Sequence, residues 1–203
     1  TPVAGSFTLP VTTAGSYYFV ITDSNTPNCS VTTNTIIVTT PTTPTATPVS
    51  TNVSCNGGSD GTITLTAANG IAPYTYALTG PVANTTGDAT GIYTGLIAGS
   101  YSIVVTDAKG CPSAAIPVTI TQPAVLTATN NVIPFGCDTA NAPKDAIVTI
   151  TAGGGTVPYT YSFDNGTTFQ TSASFSVNTA QIIDYVVNDA NGCSIAGKAT
   201  VNP

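Results

Sequence analysis

Five residue types are missing from this 203-residue chain: it has no His, Glu, Arg, Met or Trp. Without His and Glu, acid–base chemistry falls to Asp, Lys, Tyr or Cys, and no Ser stands beside a recognisable base. Nothing meets the requirements of a catalytic constellation, so the reading is non-enzymatic, with no catalytic residue and no cofactor. Cations are nearly absent too. Lys109, Lys144 and Lys198 stand against nine Asp, for a net charge of −6. That leaves no basic stripe for nucleic acid or for anionic lipid headgroups. No apolar run reaches membrane-spanning length, so no membrane insertion of this segment is expected, and no signal peptide opens the chain.

What is present favours strands. The chain carries 40 Thr, 19 Gly and 15 Pro, and 41% of its residues are apolar. Thr, Val and Ile are stiff at χ1 and suit a pleated sheet better than a helix. Period-two runs follow: Ile63 and Leu65; Tyr74, Tyr76 and Leu78; Tyr101, Ile103 and Val105; Ile116, Val118 and Ile120. Asp107-Ala108-Lys109-Gly110 and Asp189-Ala190-Asn191-Gly192 read as hairpin turns. About seven short strands in about 80 residues predict an all-β, immunoglobulin-like sandwich. Leu96-x-x-Gly99-x-Tyr101 fits the tyrosine corner of such folds, and the third repeat lacks that pattern.

The cysteines reveal a repeat. Cys29, Cys111 and Cys193 follow one another at one spacing, which also separates Cys55 from Cys137. Pro73-Tyr74-Thr75-Tyr76 recurs as Pro158-Tyr159-Thr160-Tyr161, and Ala98-Gly99-Ser100-Tyr101 echoes Ala14-Gly15-Ser16-Tyr17. The division that follows is 1–41 as the C-terminal part of an incomplete repeat, then complete repeats 42–123 and 124–203. The spacing predicts one disulfide per repeat, Cys55–Cys111 and Cys137–Cys193, in an oxidising compartment, with Cys29 unpaired. A metal site is the rival reading, but no two cysteines sit at ligand spacing. The Thr-Pro run at 39–48 resembles a polyproline linker, yet the period puts a first strand there, and its prolines make it an edge strand. The junctions are then nearly linkerless, and a stiff rod is expected.

The pattern Cys55-x-x-Gly58-x-Asp60-Gly61-x-Ile63, then Pro73-Tyr74-x-Tyr76, then Ala98-Gly99-x-Tyr101-x-Ile103-x-Val105-x-Asp107-x-x-Gly110-Cys111 resembles the SprB repeat. The third repeat keeps both cysteines and the Pro-Tyr-x-Tyr motif but has Lys144-Asp145-Ala146 where the family has Asp-Gly. The resemblance implies large surface proteins of Bacteroidota, exported by the type IX system and held at the outer membrane. Its namesake is a gliding-motility adhesin.

Candidate sites are few. Asp60 with Asp107, and Asp138 and Asp145 with Asp189, flank the expected disulfides and are candidates for Ca²⁺, against independent turn aspartates. Tyrosines stacking on sugar are weighed against core packing, which their period favours. A Lys–Asn isopeptide link is weighed for Lys144 and Lys198 and set below solvated lysine. Asp138-Thr139-Ala140 fits an Asp-Thr-apolar acceptor pattern, so Thr139 is an O-glycosylation candidate. The expected function is a stalk segment of a secreted, cell-surface adhesin. Its partners are neighbouring repeats and an external surface, polysaccharide or cell. The alternatives are a spacer or filament with no ligand, and a Ca²⁺-stabilised glycan-binding module.

Overall fold

A computed structural model describes residues 8–24, 27 and 29–203, and everything among them is strand, turn or loop. The chain divides into two compact units, Thr1–Thr43 and Pro44–Pro203. Residues 1–7, the start of the expected incomplete repeat, lie outside the described residues.

The first unit holds four three-residue strands: β1 Gly15–Tyr17, β2 Val20–Thr22, β3 Ser30–Thr32 and β4 Ile36–Val38. β1 pairs with β4 and β2 with β3, both antiparallel, so they form one interrupted hairpin. None of its described residues is buried. A single hairpin has two faces, and among the described residues no second layer covers either, so its apolar side chains stay wet.

The second unit is built twice over on one plan. Its first half contains β5 Thr45–Thr51, β6 Gly61–Ala68, β7 Thr75–Thr79, β8 Ile92–Leu96, β9 Gly99–Thr106 and β10 Ile116–Ile120. They form two antiparallel sheets, ordered β5-β6-β8 and β10-β9-β7. Pro48 lies within β5, which pairs only with β6, so the proline sits on an edge strand as its missing N–H requires. Period two then sorts the side chains. Ile63, Leu65 and Tyr93 from one sheet meet Tyr101, Ile103, Val118 and Ile120 from the other in a single core. Each such aliphatic side chain contributes about 1.5–3 kcal/mol of burial.

The second half repeats the layout. After β11 Thr127–Ile133 comes a short inserted hairpin, β12 Gly136–Cys137 with β13 Pro143–Lys144. Then follow β14 Ala146–Gly153, β15 Thr160–Ser162, β16 Ser174–Val177, β17 Gln181–Asn188 and β18 Ser194–Val201. The sheets are β11-β14-β16 and β15-β17-β18. Ala146, Val148, Ile150, Tyr185, Val187 and Val201 are buried between them.

Each half has two ends, fixed by register. In the first half, Thr45 pairs with Ala68 and Thr75 with Thr106, which places the turn 107–111 at the leading end. Thr51 pairs with Thr62 and Gly61 with Leu96, which places the loop 52–60 at the trailing end. The second half is laid out alike. Asn188 pairs with Ser194 and Thr160, so the turn 189–193 leads, while Cys137 lies on the loop side of β11 and trails.

This layout corrects the expected disulfides. Cys55 is bonded to Cys193, with a Cα–Cα distance of 5.7 Å and a sequence separation of 138. Cys29, Cys111 and Cys137 are free thiols. The reason is geometric. Cys55 precedes β6 and Cys111 follows β9, and those strands run the same way, so the two cysteines stand at opposite ends of one half. An eight-residue strand is roughly 24 Å long, far beyond the 7 Å that a disulfide can bridge. Cys137 and Cys193 are separated in the same manner.

Candidate functional site

The feature that sets this molecule apart is the seam where the first half ends and the second begins. On the trailing side, the loop 52–60 is tied down by a polar mesh. Val53 N–H donates to the Thr121 carbonyl (3.2 Å), and Thr121 N–H donates back to Asn52 Oδ1 (2.8 Å). Gly57 N–H donates to Gln122 Oε1 (2.8 Å) and Asn56 Nδ2 to the Pro123 carbonyl (2.9 Å). Asp60 accepts from the Ser54 hydroxyl (2.5 Å) and the Ser54 N–H (3.0 Å), and the hydroxyl bond in particular holds its carboxyl below the usual carboxylate range. The loop bearing Cys55 is thereby fixed to the residues that lead directly into the next half.

On the leading side, one buried carboxylate organises the turn. Asp189 Oδ1 accepts from the N–H groups of Asn191 and Cys193 (both 2.9 Å), while Oδ2 accepts from Thr156 N–H (2.8 Å). Asn191 Nδ2 then reaches across the seam to the Ser54 carbonyl (2.9 Å), beside the Cys55–Cys193 bond. The connection itself is tight. Gly154 has φ +70°, and a Cβ there would sit 1.9 Å from the Val125 carbonyl oxygen. Only glycine lets that turn lie against the strand-leading segment.

The first half carries the same turn. Asp107, also buried, accepts from Lys109 and Cys111 N–H (both 2.9 Å) through Oδ1 and from Ile71 N–H (3.1 Å) through Oδ2. These backbone bonds, the one from Cys111 foremost, lower its carboxyl below the ordinary range. The first unit keeps the core of the device: Cys29 N–H donates to Asp23 Oδ1 (2.9 Å). The turn aspartates thus act as clamps on the cysteine-bearing turns.

The acidic residues expected as clusters are not brought together. Asp60 trails and Asp107 leads, so they sit at opposite ends of one half. Asp145 accepts from the Ser176 hydroxyl (3.1 Å), and Asp138 accepts from the N–H groups of Ala140 and Ala142 (both 2.8 Å). Among the described residues, no three Cys or Asp side chains converge as metal ligands. Lys109 and Lys144 are exposed, and Lys198 forms an exposed ion pair with Asp184, a contact worth little in water. Thr139 is exposed in the β12–β13 turn. Tyr93, Tyr101, Tyr161 and Tyr185 pack in the cores, and several tyrosines pin loops. Tyr74 and Tyr159 donate their hydroxyls to the carbonyls of Asn69 and Gly154 (both 2.5 Å), and Tyr101 donates to Ile97 (2.8 Å), the expected corner.

Sequence reasoning missed two features. The clasp between Asn191 and Ser54 joins residues in different repeats, and no local pattern signals it. The second is a cleft of about 100 Å³ lined by Tyr161, Phe163, Asp164, Thr168, Gln170 and Phe175, where Phe163 and Phe175 stack at 5.1 Å. Asp164 accepts there from the hydroxyls of Ser162 and Thr168 (both 2.6 Å), and these bonds, Ser162 first, bring its carboxyl down to about 2.

Fold and seam together define a tandem two-sheet β repeat, in which neighbouring copies are joined by a disulfide. Residues 47–83, which span β5 to β7 and the Cys55 loop, match the family model of the SprB repeat. Over those residues the chain is similar to the SprB repeat. No curated protein matches the chain.

Proposed function

We propose that the chain is a non-enzymatic, force-carrying stalk segment of an extracellular surface adhesin, with adhesion itself residing elsewhere in the parent protein. The observation that carries this is the Cys55–Cys193 bond across a seam without a linker. A covalent strut at that place resists bending and separation of neighbouring repeats, which a free-standing binding module does not need. The strand orders β5-β6-β8 and β10-β9-β7 support reading each half as an immunoglobulin-like sandwich, a frequent unit of extracellular stalks. The SprB repeat supports a cell-surface location. Partners on this reading are neighbouring repeats of the same chain, and the Thr-rich surface offers external material only diffuse hydrogen bonding.

Single-molecule pulling tests the proposal. With the disulfide intact, only roughly 65 of the 203 residues lie outside the bridge, so the chain should extend by roughly 230 Å at most. After reduction it should extend by roughly 700 Å. Equal extension in both states would remove the force-carrying role. A second reading, direct glycan contact, is favoured by the aromatic cleft around Phe163 and Phe175. Retention of the isolated chain on polysaccharide, lost in Phe175→Ala, would support it over the stalk.

A further inference from the structure

We infer that Cys137 and Cys111 are the two unmatched ends of the same bond that Cys55 and Cys193 make, each waiting for a further copy of this repeat. Wherever a repeat follows residue 203, Cys137 bonds to its turn cysteine. Wherever a complete repeat precedes residue 42, Cys111 bonds to its loop cysteine. The array is then stitched by overlapping disulfides, each joining one repeat to the next and none closing within a repeat.

The observations come in matched pairs. Cys111 and Cys193 each end a leading turn, and each donates its N–H to a buried aspartate, Asp107 or Asp189, at 2.9 Å. Asp107 N–H and Asp189 N–H donate in return to the carbonyls of Cys111 and Cys193, at 3.1 and 2.9 Å. The turn above Cys111 is also anchored as the bonded one is: Ala108 N–H donates to Ile71 and Ala190 N–H to Thr156, both at 2.8 Å. The thiol of Cys111 is therefore held in the frame that presents Cys193 to Cys55. At the other end, Cys137 occupies the loop between the first and second long strands of its half, as Cys55 does. It is exposed, on the short strand β12, and Cys111 is half-buried. The two cannot bond each other, because Cys111 leads the first half and Cys137 trails the second, with both halves between them.

The chemistry balances with an external oxidant. Cys137 and the neighbouring turn cysteine give up two protons and two electrons as their S–S bond forms. A small-molecule disulfide such as oxidised glutathione accepts the electrons by thiol–disulfide exchange and leaves as two thiols. The consequence for a pulled array is specific. The shortest covalent path enters a repeat at its turn cysteine, runs on to the loop cysteine of the next repeat, and crosses the bond there, so most of each sandwich is bypassed.

The test is a disulfide map of an extended chain in which a second copy of residues 42–203 follows Pro203. Cys29 and Cys111 of the first copy and Cys137 of the second are changed to Ser, which leaves six cysteines. After folding in a glutathione buffer, the thiol count per chain should be zero. An Asp-N digest should contain Cys137 joined to Cys111 of the second copy, beside Cys55–Cys193 from both copies. Two persistent thiols, at Cys137 and the second Cys111, with Cys55–Cys193 formed in both copies, would overturn the inference. So would Cys137 joined to Cys193 of its own repeat, or a covalent dimer made by the same pair between molecules. Failure of Cys55–Cys193 to form would remove the pattern on which it rests. The map reads pairing alone, so a negative result leaves the stalk reading to its own pulling test.

Discussion

Tyr17 and Tyr101 each send a hydroxyl to a carbonyl four residues back, of Thr13 and Ile97, at 2.6 and 2.8 Å. Asp23 and Asp107 each hold the N–H of the following cysteine. The two hairpins, 15–38 and 99–120, thus share their local devices. Their side chains do not share an environment. Two residues before the clamping aspartate, Ile21 is 58% exposed and Val105 is 0% exposed. The difference is the opposing sheet: β5, β6 and β8 cover the second hairpin, and the first has no such layer among the described residues. Short-range hydrogen bonds shape a hairpin, and burial comes only from a partner layer far away in sequence.

The largest effect expected from that contrast concerns the bridge. Closing a 138-residue loop should restrict the unfolded chain by about 5 kcal/mol on the chain-entropy account. Cys193→Ser should lower the denaturant midpoint of the 44–203 unit strongly, while Cys29→Ser leaves it unchanged. If the two variants unfold alike, the seam is not a structural joint. Core truncation comes next. Ile103→Ala removes a fully buried side chain and should cost about 2–5 kcal/mol, whereas Ile21→Ala should stay within about 0.5 kcal/mol. Amide exchange should follow the same division, fast in β1 to β4 and slow in β9 and β17. Similar costs for both alanine variants would mean that a second layer also covers the first hairpin in solution.

A smaller contrast concerns the corner. Tyr101→Phe gives up one part-buried hydrogen bond and should lose about 0.5–1.5 kcal/mol. Ile183 stands in the matching place, six residues before Asp189, and the nearest tyrosine in that half is Tyr185, two residues on. Its hydroxyl lies 3.5 Å from Asn130 Nδ2, so Tyr185→Phe should cost less than Tyr101→Phe in thermal unfolding. The reverse order would show that the corner adds nothing to the sandwich.

The strands were legible because period two survives in Ile63, Leu65, Tyr101, Ile103 and Val105, all of them buried. The Thr-Pro edge strand was legible from the repeat period alone, against its composition. The disulfide was not, because sequence spacing shows which cysteines are equivalent and says nothing about which ends of a sandwich they occupy. That information lies in strand direction. β6 and β9 run the same way, so a cysteine before one and a cysteine after the other are at opposite ends. Following direction through the predicted strands would have excluded Cys55–Cys111. The cleft lined by Phe163 and Phe175 was illegible for a different reason: its residues lie on β15, β16 and a loop between them, with no periodic mark.

The smallest effect separates the two halves by pH. Asp164 lies in the second half, and Thr79, at the matching place after the Pro-Tyr-x-Tyr motif, offers no carboxylate in the first. Besides the two hydroxyl bonds, Asp164 Oδ1 accepts the N–H groups of Thr167 and Thr168, at 3.1 and 2.9 Å. All of these bonds favour the ionised form, and its pKa falls from 3.8 to about 2. A carboxyl with a folded value below its unfolded one stabilises the fold above the unfolded value, and that contribution is lost as pH falls through the folded value. The window is therefore from about pH 4 down to about pH 2. Asp107 and Asp60 are shifted the same way and weaken the first half and the seam under the same acid, so total stability alone cannot isolate Asp164. The comparison that can is Asp164→Asn against the parent chain, by thermal unfolding at pH 6 and at pH 2. The parent should be more stable at pH 6, and the gap should close near pH 2, once the carboxylate is protonated. A gap of the same size at both values would mean that the loop is held by its shape, and that the charge on Asp164 takes no part.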